Sequence, residues 1–229
     1  MPGLNRIRRS PHFPHLVVML WGWVLVWSSV SARLDLLLNA VFHPIVSTAG
    51  VVLMLIGALQ MRSASRFKAP PAPLHWLASS VVALLILFCP PSPSFSDLAA
   101  NRIETLPEAP RLNFFLPPEQ RTLTEWVRLL KSQPDPNLHA GDPVRISGFV
   151  LQRPGMQPQL ARLTVRCCLA DATPAGLAIE WPEQFDPKPD QWLEIEGTMT
   201  TQILKGELIN VVKPNTITSI VRPDRPLEP

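Results

Sequence analysis

The chain predicts a membrane α-helical anchor of three transmembrane helices followed by a small all-β, OB-like barrel domain. Three observations carry that expectation. Long apolar runs fill the first 90 residues, from Leu16 to Ala32, Leu36 to Met61 and Leu74 to Cys89. Six of the seven Lys and Arg residues of that stretch fall into two clusters, Arg6/Arg8/Arg9 and Arg62/Arg66/Lys68. From Asp142 the apolar pattern takes period two, with Val144, Ile146, Gly148 and Val150 alternating against Arg145, Ser147, Phe149 and Leu151.

At about 1.5 Å of rise per helical residue, each run approaches a hydrocarbon core about 30 Å thick. Only Arg33 lies in the short turn between the first two runs. The positive-inside rule therefore places the N-terminus and the second loop in the cytoplasm and the residues after Cys89 outside. A cleaved signal peptide fits the Arg-rich start and Ser29-Val-Ser-Ala32, but further apolar runs follow it. Ile86-Leu-Phe88 lacks the small residues expected before a lipidated cysteine at Cys89.

The net charge of +3 hides an asymmetry. Residues 1–89 carry seven Lys/Arg against one acid, Asp35, whereas the rest carries 14 against 17. The basicity is thus topological, and a net-acidic outer domain lacks the phosphate-binding footprint that a nucleic-acid partner requires.

Residues 1–90 are read as the membrane domain. Seven prolines between Pro90 and Pro118 predict an extended tether over 91–120, and the extracytoplasmic domain occupies 121–229. Thr122-Leu-Thr-Glu125 matches a capping box, and Leu123, Trp126, Val127 and Leu130 recur at helical spacing, so a short helix is expected over 123–132. Further strands are expected over Ala161 to Leu169, Gly176 to Trp181, Trp192 to Thr200 and Leu208 to Val212, with Ile217 to Val221 as an extension. Turn signals lie at Arg153-Pro-Gly, Thr173-Pro, Asp186-Pro and Lys205-Gly. Five or six short strands suit a small barrel, with an open β-sandwich as the alternative.

Two constellations are candidates for function. Cys167-Cys168, with Asp171 beyond it, is the first. On a strand the neighbours point to opposite faces, which sends Cys167 to the core with Leu163 and Val165 and Cys168 to the other face. A disulfide between neighbours is disfavoured, because adjacent Cα atoms lie about 3.8 Å apart, below the usual window. The pair reads either as two small hydrophobes in a core or as a thiol or metal site centred on Cys168. Zinc needs converging ligands, and the outer domain holds one His, His139. The identity of any metal stays open.

The second constellation is a membrane stripe. Asn39, His43 and Ser47 recur at i, i+4 and i+8, with Pro44 among them. It reads either as an anchor at headgroup level or as a face turned to a partner helix. Trp21, Trp23 and Trp27 read as lipid or interface contacts. No nucleophile elbow, phosphate loop or His-Glu-x-x-His pair occurs, so neither an enzyme nor a cofactor is expected.

Val165-Arg-Cys-Cys-Leu-Ala-Asp-Ala-Thr-Pro-Ala-Gly176, then Leu177 to Trp181 and Trp192-Leu-Glu-Ile-Glu-Gly197, resembles the signature of the YcgQ-like family of bacterial membrane proteins. The run with His43-Pro44 and Ala49-Gly50 is similar to that family's membrane part. The resemblance implies a subunit of a two-component permease, paired with a larger polytopic membrane protein. The chain departs from the family pattern in having no Tyr, notably in its tail from Arg222 to Pro229. A non-catalytic accessory subunit is the expectation. An extracytoplasmic metal- or thiol-handling membrane-anchored protein is the alternative.

Overall fold

The computed structural model describes residues 12–64, 74–89, 92–102, 116–204 and 206–228. The chain divides into two units, Met1–Ser92 and Pro93–Pro229.

In the first unit, α1 (Phe13–Val30), α2 (His43–Ala64) and α3 (Leu74–Phe88) follow the three apolar runs. Glycine sets the α1–α2 contact. A Cβ on Gly22 would meet the Gly50 carbonyl oxygen at 2.6 Å, and one on Gly50 would meet that of Gly22 at 2.8 Å. Small residues let two backbones approach in an apolar medium that offers no hydrophobic drive between helices. His15 Nδ1 and Gln60 Oε1, 3.0 Å apart, join the start of α1 to the end of α2. Their outward faces stay apolar and exposed, with Val30, Ile45, Leu55 and Leu59 among the exposed side chains.

Among the described residues, two helices are long and apolar enough to cross a membrane, Phe13–Val30 and Ala40–Arg62. This corrects the expected count of three. The third helix has 15 residues, because Cys89 falls outside it. It reaches only about 22 Å, less than the hydrocarbon thickness. It packs on α1 all the same: Trp21 Nε1 donates to Ser79 Oγ at 2.9 Å. Arg33 donates to the Ile86 and Leu87 carbonyls at 3.2 and 2.7 Å, satisfying groups that a helix C-terminus leaves open.

The second unit is an antiparallel sheet: β1 (Pro143–Leu151), β2 (Gln159–Thr164), β3 (Thr173–Ala178), β4 (Trp192–Leu204) and β5 (Glu207–Ser219), with the two-residue β6 (Leu227–Glu228). The order is β3-β2-β1-β4-β5, and β6 pairs parallel to β2. Edges β3 and β5 meet at one isolated parallel bridge, Ile179 to Val212. The sheet curls without closing into a barrel, which corrects the closed form expected. A single bridge cannot replace the ladder of hydrogen bonds that closure requires.

Period two holds over the first half of β1, where Val144 and Ile146 are buried and Arg145 is exposed; from Gly148 to Leu151 both faces are buried. The short helix α4 (Phe95–Ala100) is the reason. It lies within the stretch read as tether, yet Phe95 is buried against Phe149 and Trp192, with ring centroids 5.7 and 6.0 Å away. Residues 103–115, the middle of that stretch, lie outside the described residues. On the opposite face, α5 (Leu123–Ser132) carries the expected capping box, with Thr122 Oγ1 accepting from the Glu125 amide and Glu125 from the Thr122 amide. Leu123, Trp126, Val127 and Leu129 close the core over Ile146, Leu160, Leu177 and Ile195.

Thr173-Pro, expected as a turn, instead opens β3. Pro174 is tolerated there because β3 is an edge strand, where an absent N–H breaks no inner ladder.

Candidate functional site

The cysteine pair lies in the connection between β2 and β3. β2 ends at Thr164, five residues before the end expected for it, and Leu169–Asp171 form a single 3₁₀ turn with Cys168 at its N-cap. Leaving the strand cancels the alternation that would have split the pair. The two Sγ atoms lie 3.6 Å apart. Cys167, expected in the core, is exposed, and Cys168 is half-buried.

Asp171 organises the turn. Its Oδ1 accepts from the Arg166 amide at 3.1 Å, and its Oδ2 accepts from the Cys167 amide and the Cys167 thiol, both at 2.9 Å. Burial opposes ionisation of this carboxyl, but the thiol and the surrounding amides outweigh it and hold it below its ordinary range. The Cys167 thiol is pushed up to about 12, first by its hydrogen bond to Asp171 and then by that to Cys168. Sγ of Cys167, Sγ of Cys168 and a carboxylate oxygen of Asp171 all lie within 4.8 Å of one another.

Sequence reasoning missed the brace beneath the turn. Arg102, two residues beyond the end of α4, donates through one guanidinium nitrogen to the Leu169 carbonyl at 3.0 Å and to that of Ala172. Both accepting carbonyls flank Asp171. A lone Arg separated from the turn by 67 positions carries no local pattern, so only the fold reveals it.

The membrane stripe is only partly assembled. Asn39 does not stand on the helix with His43 and Ser47; it adopts an extended conformation and caps the 3₁₀ turn Ala40–Phe42, accepting from the Val41 amide. Pro44 is the second residue of α2, where its missing N–H breaks no bond within the helix. His43 lies with Nδ1 3.8 Å from Asp35, and Ser47 donates to the His43 carbonyl. Of the tryptophans, Trp23 and Trp27 stack and are exposed, whereas Trp21 turns to Ser79.

Comparison with known proteins finds two likenesses. Residues 119–227 match the family described as the DUF1980 C-terminal domain. Over 61 residues the chain is 33% identical to the UPF0703 protein YcgQ of Bacillus subtilis (strain 168), covering 26% of this chain and 21% of that protein. The chain thus spans about a fifth of the relative's length. No solved structure matches. Together the two likenesses support a YcgQ-like family.

Proposed function

We propose that this chain is a non-catalytic accessory subunit of a membrane permease, held in the bacterial plasma membrane and paired with a larger polytopic protein. The observation that carries the reading is the α1–α2 hairpin. Its glycine seam is buried, while its outward faces expose Val30, Ile45, Leu55 and Leu59 to lipid or a partner helix. Two spans are too few for a transport path, which is usually built between helical repeats.

The Arg62 end of α2 lies beside the start of α1, where His15 meets Gln60. Arg62, the described member of the two basic clusters, therefore stands at the same end of the hairpin as the start of α1, and positive-inside bias makes that end cytoplasmic. Arg33 holds the last carbonyls of α3 at the opposite end. That contact supports an extracytoplasmic β domain. The curled sheet is read as OB-like, on its strand order and the contact of its edges.

Purification from native membranes in mild detergent tests the subunit reading. A polytopic protein should accompany the chain in fixed ratio; a homogeneous assembly of this chain alone would sink it.

A second reading, an extracytoplasmic metal- or thiol-handling protein, is favoured by the convergence of Cys167, Cys168 and Asp171. It predicts that extracytoplasmic alkylation of these thiols abolishes function while partner binding persists.

A further inference from the structure

We infer that Cys167, Cys168 and Asp171 form an exchangeable zinc site with one open coordination position. The inference deepens the metal-handling reading and is independent of the permease reading.

Among the described residues this is the group of His, Cys, Asp and Glu side chains whose ligand atoms converge closely enough to hold one ion. Its spacing suits zinc. Tetrahedral angles with Zn–S bonds of about 2.3 Å set two thiolates about 3.7 Å apart. The two Sγ atoms already stand at 3.6 Å. The Cys167 Sγ to Asp171 Oδ2 distance of 2.9 Å is that of a hydrogen bond. It needs to open by about 0.7 Å to admit a cation at ordinary Zn–S and Zn–O lengths. Protons thus occupy the place of the ion, and binding releases two of them, one from each thiol, as the two thiolates take up the metal.

The donor set decides between ions. Two thiolates and one carboxylate match borderline-soft Zn²⁺, whereas Cu(I) gains little from the carboxylate and Mg²⁺ or Ca²⁺ little from sulfur. Three ligands distinguish the site from a structural one, which uses four and is closed. The open position, at an exposed turn, is where a transferred ligand or an acceptor protein's side chain would complete the tetrahedron. The turn is also braced from outside: Arg102 holds the Leu169 and Ala172 carbonyls, and the 166 and 167 amides aim the Asp171 carboxylate.

The test uses the full chain in detergent without a histidine tag, stripped by chelator and titrated with zinc chloride against a chromophoric competitor. One zinc per chain is expected. Cys168→Ser should weaken binding at least tenfold with an unchanged thermal melt, Asp171→Asn should weaken it likewise with an unchanged far-ultraviolet circular dichroism spectrum at the assay temperature, and Cys89→Ser should bind normally. Cobalt substitution should give thiolate charge-transfer and tetrahedral d–d bands, lost in Cys167→Ser/Cys168→Ser. No stoichiometric zinc, or zinc binding untouched in that double variant, overturns the inference. If Cu(I) binds to the same thiols without help from Asp171 while zinc does not, the zinc site falls and the broader metal-handling reading stands. If neither ion binds and both thiols are inert, both fall.

Discussion

The guanidinium carbon of Arg162 lies 4.9 Å from the centroid of the Trp192 ring. Arg162 is a buried cation, 8% exposed, in the middle of β2. It donates to the Ser147 carbonyl and hydroxyl, both at 2.9 Å, and to the Pro226 carbonyl at 3.3 Å, and it lies 3.4 Å from Glu228. Burial pulls its pKa below the ordinary value, and Glu228 pulls the other way. One side chain therefore ties β1, β2 and β6 together.

Arg162→Leu should cost about 3 kcal/mol, because it strips a half-buried carboxylate and several acceptors of their donor. Arg162→Lys should recover part of that, since one ammonium cannot reproduce the fork. Thermal melts monitored by tryptophan fluorescence will check the order wild type, Lys, Leu; equal melting temperatures would show that β6 is held without Arg162.

The cysteine turn makes a different prediction. Because Cys167 is exposed rather than in the core, Cys167→Ser and Cys168→Ser should both leave the melting temperature of metal-free protein within a degree or two. Arg102→Ala should lower it, through a loss of about 1.5 kcal/mol of stability for the charged hydrogen bonds. A large loss for Cys167→Ser alone would restore the buried placement that strand alternation implies.

Thiol reactivity follows from the raised Cys167 pKa of about 12. In chelator-treated protein, Cys167 should alkylate slowly at neutral pH and accelerate as pH rises toward that value, because the thiolate is the nucleophile. Asp171→Asn removes the anion that disfavours the thiolate, so it should speed Cys167 modification near pH 8. Peptide mapping after timed alkylation measures both rates, and an unchanged Cys167 rate in Asp171→Asn would contradict the geometry.

The glycine seam supplies a membrane prediction. Gly50→Leu puts a side chain where the Gly22 carbonyl and the Val26 and Leu25 side chains already sit. The helices should separate, and a disulfide engineered across the seam should form in wild type and fail in the variant. Undiminished crosslinking would mean that the hairpin packs elsewhere.

Loss of the α5 cap should be smaller. Thr122→Ala removes an acceptor for the Glu125 amide and should cost about 1 kcal/mol. Thr122→Ser should restore it, as the melting curves will show.

The sequence by itself determined what is local. The helix over 123–132 follows from Thr122, Glu125 and a 3.6-residue apolar repeat, all within one stretch of backbone. The strand cores follow from period two, and two of the three expected spans from the length of uninterrupted apolar residues. Tertiary structure decided what depends on distant partners. Phe149 is buried because Phe95 arrives from α4, and β6 exists because Arg162 and β2 receive it. The cysteine pair shows the boundary most clearly. Alternation splits Cys167 from Cys168 only while the chain remains a strand, and the strand ends at Thr164. Asp171 then recruits the 166 and 167 amides into a turn, and Arg102, far away in sequence, braces it. Whether two neighbouring thiols face apart or together is a matter of backbone conformation. Long-range hydrogen bonds settle that conformation, and no periodicity encodes them.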